Sequence, residues 1–293
     1  NITSDHLGEG GINTLEDIAR LKSTVIETVK PTGHAVLNAD DPMVLPFMNN
    51  TKGEVILFSM KPENPALKEN LDRGNMNVIF DDESIVVQKG GWTSTIANVV
   101  EIPITHHGKA MFNVQNVLAA VAATSALGLN ENQIRAGLVS FSSSIGLSPG
   151  RMNIIDMGNF KVIIDYAHNQ GAVNATGEFI RQLGNGRKIR MASGTGNRRE
   201  KDIIEYGVAL SNFYDHVIVT DTDTRDRAPG KVADLVRQGL IKGGFKDDMI
   251  TILLDGREAT KRSLDMAEPG DVVVLQADDI DMVIHDVVEY KEN

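Results

Sequence analysis

The sequence predicts an α/β protein of two domains, the second built on a parallel sheet. Three observations carry that expectation. The 293 residues are too many for one ordinary domain and suit two. Beyond about residue 150, apolar runs of strand length alternate with stretches of helical spacing, which is the pattern of a parallel sheet with helices on both faces. Between the halves, Ser142-Ser143-Ser144-Ile145-Gly146-Leu147-Ser148-Pro149 reads as a linker. The division is therefore expected at residues 1–147 and 148–293.

The elements follow in order. A helix is predicted from Leu15 to Val29, with Thr14 as N-cap and Asp17 three residues on, a loose capping box. A short strand follows at His34–Leu37. Residues 54–105 are rich in β-formers, with a hairpin expected around Asp81-Asp82-Glu83-Ser84. Helices are predicted at Asn113–Leu127 and Glu131–Leu138. In the second domain the strand-like runs are Phe160–Ile164, Lys188–Met191, His216–Val219, Met249–Leu254 and Val272–Leu275. Helical patterns fill the gaps at Val173–Leu183, Asp202–Ser211, Val232–Ile241 and Arg257–Met266.

Composition narrows the function classes. Hydrophobic residues are 41% and charged residues 24%, an ordinary folded composition. There are 29 basic and 40 acidic residues, a net charge of -11. The acidity is spread along the chain, so clustered Lys and Arg for nucleic acid or an anionic membrane are lacking. The absence of cysteine excludes disulfides, thiolate zinc sites and cysteine nucleophiles. No apolar run is long enough to span a bilayer and no signal peptide is recognisable, so a cytoplasmic location is expected. The chain opens on a motif rather than on Met, which suggests a piece of a longer protein.

Several residues stand out chemically. Lys22 falls on the apolar stripe of the first helix, seven residues from both Leu15 and Val29. An unpaired ammonium there would be expensive to bury, so Lys22 is either snorkelling or paired, or its amine is altered for a task. His6 follows Asp5, an arrangement that is either structural or that of a metal ligand oriented by a carboxylate. Arg151 follows Pro149-Gly150, and Asp165 and His168 sit at the tip of a strand. Together they could hold a nucleotide in a crevice or form a local ion pair. In an open parallel sheet, ligands bind beyond the carboxyl ends of the strands. Polar residues gather at those ends: Asp165 to Asn169, Ser193 to Arg199, Thr220 to Arg227, Asp255 to Glu258 and Gln276 to Asp279. Gly194-Thr195-Gly196 could offer N–H groups to an anion, although so short a pattern is weak evidence. Lys109 after Gly108 is not a P-loop, because the spaced glycine and the following Ser or Thr are missing.

Six motifs, in order, resemble a known family. They are Asn1-Ile2-Thr3-Ser4-Asp5-His6-Leu7, Ala19-Arg20-Leu21-Lys22-Ser23 and Val36-Leu37-Asn38-Ala39-Asp40-Asp41-Pro42. Phe112-Asn113-Val114-Gln115-Asn116-Val117-Leu118-Ala119-Ala120, Gly150-Arg151-Met152 and Asp165-Tyr166-Ala167-His168-Asn169 complete the set. The chain thereby resembles the Mur ligases: the later part of the central ATPase domain, then the Rossmann-like C-terminal domain. Within that family it is most similar to the branch of cyanophycin synthetases. The fragments Thr14 to Ser23, Gly194 to Glu200, Asp221 to Arg225 and Ala267 to Val274 carry that closer likeness.

The resemblance implies an ATP-dependent amide ligase working through an acyl phosphate. In the cyanophycin branch, arginine joins the side-chain carboxylate of a poly-aspartate backbone. ATP and Mg2+ are the implied cofactors. His6 would be the ligand of a second magnesium ion, and Lys22 the lysine carbamylated in many relatives, which turns a cation into an anion beside magnesium and triphosphate. Asn116 and Asn113 would recognise adenine, and Arg151, Asp165 and His168 would contact ATP. For the amino-acid substrate, the acidic loop of Asp221, Asp223 and Asp226 would receive a guanidinium, while Arg198 and Arg225 hold the carboxylate. The other reading of that loop is a solvated set of acids and arginines paired with each other.

Three departures matter. No Gly-x-x-x-x-Gly-Lys-Ser/Thr motif occurs in the 293 residues, so the chain alone is expected to be inactive, its partner being the N-terminal domains of its parent. Gln170 stands where many relatives have Pro, and Asn197 where Asp is frequent. A Mur-type or folylpolyglutamate-type ligase for other substrates, a non-catalytic module and a homo-oligomer all stay open.

Overall fold

The computed structural model describes residues 1–4, 7, 8 and 10–292. It divides into two compact units. The first comprises Asn1–Ser4 and Ile12–Ser142, and the second has its main body in Ser143–Asn293.

The first unit is a five-stranded mixed sheet. Its strands are β1 (His34–Asn38), β2 (Glu54–Ser59), β3 (Met76–Asp81), β4 (Ser84–Lys89) and β5 (Trp92–Asn98), side by side in that order. The first three run parallel, and β3 to β5 form two hairpins. The turn between β3 and β4 puts Asp82 and Glu83 at positive φ, 44° and 58°. Left-handed geometry at both central residues matches the twist of a two-residue hairpin, and it falls where the sequence predicts one.

The period of two along β2 sorts its side chains onto two cores. Ile56 and Phe58 pack with Val78, Ile85 and Val87 against Val114, Val117, Leu118 and Val121. Those last four lie on α3 (Met111–Ala126), and Ile134 of α4 (Glu131–Ser140) joins them. Val55 and Leu57 face the other way, onto Ala66 and Leu67 of α2 (Pro65–Asp72) and onto Met48. Helix α2 is absent from the sequence expectation. It begins at Asn64, whose side chain accepts from the Ala66 N–H, with Pro65 in the first turn.

Helix α1 (Leu15–Glu27) carries a full capping box between Thr14 and Asp17. Its buried face is Ile18, Ala19 and Ser23. Leu15, Leu21 and Val25 are exposed, and so is Lys22. The expectation of a lysine set in a buried apolar stripe is therefore corrected. Spacing by seven aligns Lys22 with Leu15, but that line runs along the exposed side of the helix.

The second unit holds a six-stranded sheet in the order β10-β9-β8-β11-β7-β6. The strands are β6 (Asn153–Asp156), β7 (Lys161–Asp165), β8 (Lys188–Thr195), β9 (His216–Asp223), β10 (Ile250–Ile252) and β11 (Val272–Gln276). All neighbours are parallel except β6 and β7. The intervening helices are α5 (Gln170–Arg181), α6 (Glu200–Ser211), α7 (Lys231–Lys242), α8 (Gly256–Asp265) and α9 (Ile280–Glu292). Short β6 and terminal α9 were not foreseen. The last strand, β11, lies between β7 and β8 and is wholly buried.

Two local devices hold this arrangement. Asp271, just before β11, accepts from the Arg187 N–H at 2.7 Å, from Arg187 Nε and Nη2 at 3.1 and 2.7 Å, and from the Glu268 N–H at 2.9 Å. This pins the start of β11 to the start of β8, where Val272 pairs with Lys188. Burial pushes the Asp271 carboxyl up, but the Arg187 side chain and the two N–H groups outweigh it and hold it below its ordinary value. Helices α6 and α7 meet through glycine. A Cβ on Gly207 would sit 2.3 Å from the Val236 carbonyl oxygen, and one on Gly239 would sit 2.1 Å from that of Ile204.

Two outcomes follow from these devices. Gly207→Ala gains about 1 kcal/mol of helix propensity, but its Cβ meets backbone that cannot rotate aside. Overpacking of this kind costs about 1–3 kcal/mol or more, so urea denaturation should show a net loss of stability. Asp271→Asn should destabilise the second unit by about 2 kcal/mol, the scale of hydrogen bonds to a charged group with one half-exposed partner. A lowered carboxylate pKa gives stability that is full above the unfolded value and lost as pH falls through the folded one. Wild type should therefore lose stability below about pH 4, and the Asn variant should show a flatter acid limb in urea midpoints measured against pH.

Candidate functional site

In the second unit, the carboxyl ends of β7, β8, β9 and β11 gather the residues singled out in the sequence. Asp165 closes β7. Its Oδ2 accepts from the Met152 N–H at 2.9 Å and its Oδ1 from the Ala167 N–H at 2.8 Å. One carboxylate thus ties the chain after Arg151 to the turn after β7. Met152 is buried and takes φ 49°, a left-handed backbone that its tethered N–H helps to hold.

That tie sets Arg151 over the ring of Tyr166, 5.4 Å from the centroid. Tyr166 in turn meets His168 edge to face, with centroids 4.8 Å apart. His168 Nδ1 lies 3.0 Å from the Tyr166 carbonyl oxygen, so the free nitrogen of the ring is Nε2. Arg151, Asp165 and His168 are therefore brought together, with Tyr166, which the sequence reading did not single out, as the surface joining them. Arg151 is exposed, so its guanidinium is stacked on one face and open to an anion. Asn169 then caps α5 by accepting from the Ala172 N–H. Gln170 takes the first helical position, where proline would also fit.

The loops after β8 and β9 interlock. Arg227 donates from Nε to the Gly196 carbonyl at 2.7 Å and from Nη2 to that of Arg198 at 2.8 Å. Asp223 pairs with Arg225, Nε to Oδ1 2.8 Å. Arg225 itself sits at φ 51°. Asp221 accepts from the Gly230 and Ala233 N–H groups and so caps α7. Asp226 is exposed, and Arg198 Nη1 donates to the Asn197 side chain. The glycines of Gly194-Thr195-Gly196 have a packing explanation. A Cβ on Gly194 would meet Val232 at 2.7 Å, and one on Gly196 the Thr224 carbonyl oxygen at 2.0 Å. The Gly196 N–H is already given to the Asp223 carbonyl, at 2.7 Å, so it is not held ready for an anion.

In the first unit, amide side chains line the carboxyl end of β1 and the start of α3. Asn38 Nδ2 donates to Asn1 Oδ1 at 2.6 Å, and Asn1 Nδ2 to Gln115 Oε1 at 2.9 Å. One turn along α3, Asn116 Nδ2 donates to Asn113 Oδ1 at 3.2 Å. Asn113 spends its own amide on the Ile104 carbonyl at 2.7 Å, which leaves Asn116 the more exposed of the two. In the next motif, Asp40 accepts from Ser59 Oγ and from the Met60 N–H, and Asp41 from the Ile2 N–H.

His6 lies outside the described residues. Lys22 is described and exposed. Among the described residues, His285, Asp286 and Glu289 are the set of His, Asp and Glu with metal-ligand spacing, and they lie on α9. The candidate residues described around Asp165 and Asn116 form no such set. No helix among the described residues is long and apolar enough to cross a membrane.

Comparison with known proteins gives the family. Residues 1–124 match the Mur ligase middle domain, and residues 150–278 match the Mur ligase, glutamate ligase domain. The chain is 35% identical to the cyanophycin synthetase of Trichormus variabilis over 97% of its own length and 32% of that protein. It is 38% identical to that of Crocosphaera subtropica over 94% of its length and 31% of that protein. It thus spans about a third of the length of these cyanophycin synthetases. Among solved structures, E. coli FolC in complex with DHPP and ADP aligns over 100% of this chain and 61% of its own, with TM-score 0.65 at 18% identity, a likeness of fold. With its two units matching successive domains of one kind of protein, the chain belongs to the Mur ligase family.

Proposed function

We propose that the whole protein is an ATP-dependent amide ligase that joins arginine to aspartate side chains of a cyanophycin-like polymer. The observation that carries the reading is the identity of 35–38% to cyanophycin synthetases along almost the whole chain. Arg151, stacked on Tyr166 and open to solvent, fits the same reading as a cation for nucleotide phosphate. In this reading a carboxylate oxygen of the acceptor attacks the γ-phosphorus of ATP and ADP leaves. The arginine amine then attacks the acyl carbon, loses a proton, and phosphate departs as the amide forms.

The residues divide the work by chemistry. Asn116, steadied by Asn113, offers an amide that can both donate to and accept from a base edge. Arg151 supplies charge to phosphate oxygens. Asp165 acts through the backbone it bridges, and His168 presents Nε2 at the same turn. Lys22 is the position for a carbamate: an exposed amine on α1 can react with carbon dioxide, and the product replaces a cation with an anion. Magnesium, with His6 and that carbamate as ligands, is part of the proposal.

Asp223 and Arg225 are the proposed contacts for substrate arginine, with Arg198 for its carboxylate. The Asp223–Arg225 pair is partly exposed, and such pairs are worth about 0–1 kcal/mol. An incoming guanidinium can therefore displace Arg225 from Asp223 at little cost, while Arg225 swings to the substrate carboxylate. Asp221 and Asp226 are left out of this contact set, the first as a helix cap and the second as a solvated neighbour.

The whole protein should release phosphate from ATP only with arginine and an aspartate-containing peptide both present. It should prefer arginine to lysine clearly, because lysine cannot make the two parallel bonds. Asp223→Asn should raise the arginine KM about tenfold or more and leave the ATP KM within about twofold, a loss of about 1.4 kcal/mol or more by the usual conversion. Equal use of lysine, or unaltered arginine kinetics in the variant, would remove this loop from the site. Lys22→Ala should cut turnover at least about a hundredfold, the scale of one lost charge-stabilising group, with partial rescue by added short carboxylic acids. Unchanged turnover would dismiss the carbamate.

A further inference from the structure

Arg190 lies in the middle of β8 and is 1% exposed. A guanidinium cannot shed its charge, and an unpaired buried charge is costly. Among the described residues, no carboxylate forms an ion pair with it. Its Nε has no hydrogen-bond partner there. It lies 5.8 Å from the centroid of the Tyr214 ring, and its other titratable neighbours are Tyr206 and Asp165. Tyr206 is buried and donates to Gln276, and burial pushes its phenol up to about 12, so it brings no negative charge.

The guanidinium donates from Nη2 to the carbonyl oxygen of Ala167, at 2.6 Å. The N–H of that same residue is held by Asp165, at 2.8 Å. Ala167 is therefore gripped on both of its backbone polar groups, by a carboxylate on one side and a buried cation on the other. It lies between Tyr166, which carries Arg151, and His168. Core packing does not need a charge at this position.

We propose that Arg190 is a positioning residue for nucleotide binding, clamping the Ala167 carbonyl from below so that Tyr166, His168 and Arg151 stay in place. This rests on the reading that the Asp165–His168 turn serves ATP. Arg190 touches no substrate; it acts through the backbone of the turn.

The test uses two variants. Arg190→Met keeps the length of the side chain and removes its donors. It leaves the buried Ala167 carbonyl oxygen without its donor, which costs stability, so the melting temperature should fall modestly while the fold persists. In the whole protein the ATP KM should nevertheless increase about tenfold, with kcat changed less than threefold and the KM for arginine unmoved. In the 293-residue chain, hydrogen exchange over residues 166–169 should quicken at least tenfold, with β9 and β10 unchanged. Arg190→Lys, which retains the charge and one donor, should recover part of both effects, and it carries the test if the Met variant does not fold. A variant that loses stability while the ATP KM and exchange in the turn stay at wild-type values would overturn the proposal and leave Arg190 a structural residue. Quickened exchange in the turn with an unmoved ATP KM would also overturn it, because the clamp would then serve no nucleotide. A whole protein that uses no ATP would sink the ligase reading instead, while the exchange result would still decide whether the clamp exists.

Discussion

The candidate site of the second unit depends on one carboxylate shared between two strands of chain. Asp165 joins the segment behind Arg151 to the turn after β7 by accepting one backbone N–H from each. Backbone donors cannot rotate away as side chains can, so the two segments are fixed relative to each other without a rigid element between them. The stacking of Arg151 on Tyr166 and the edge contact with His168 follow from that tie. A side chain that reads as a ligand contact thus works first as a structural fastener, and the exposed groups around it are free to do the binding.

The same economy recurs in the loops after β8 and β9. Arg227 is spent on the carbonyls of Gly196 and Arg198, and Asp221 on the start of α7. These buried or half-buried bonds leave the weakly paired Asp223 and Arg225 at the surface, where exchange with a ligand is cheap. Strongly committed polar groups form the frame, and weakly committed ones face outward.

The sequence made much of this legible, because periodicity carries a physical cause. The hairpin at residues 81–84 and the strand-helix alternation after residue 150 follow from side-chain spacing and turn chemistry. Helix α2 was hidden because it interrupts a β-rich stretch, and only Asn64-Pro65 marks its start. The Lys22 reading failed on burial, since a spacing of seven fixes which residues share a line but not which way that line faces. Asp165 and Arg151 stand out in the sequence through motif position alone. Arg190 was passed over because a lone arginine in a strand run looks the same whether it lies at an edge or in the centre. Strand order decides between these, and strand order arises from contacts distant in sequence.

The placement of β11 has a consequence in time. It pairs with β7 on one side and β8 on the other, yet it follows the other five strands of its sheet along the chain and so leaves the ribosome after them. Until residues 272–276 emerge, β7 and β8 lack the neighbour that joins them, and each presents an open edge. The nascent second unit must wait for nearly its whole length before its central ladder can close. Contacts so distant along the chain are slow to form, and open strand edges invite wrong partners meanwhile. Synthesis stalled before residue 272 should therefore yield an aggregation-prone intermediate, one for which chaperones would compete.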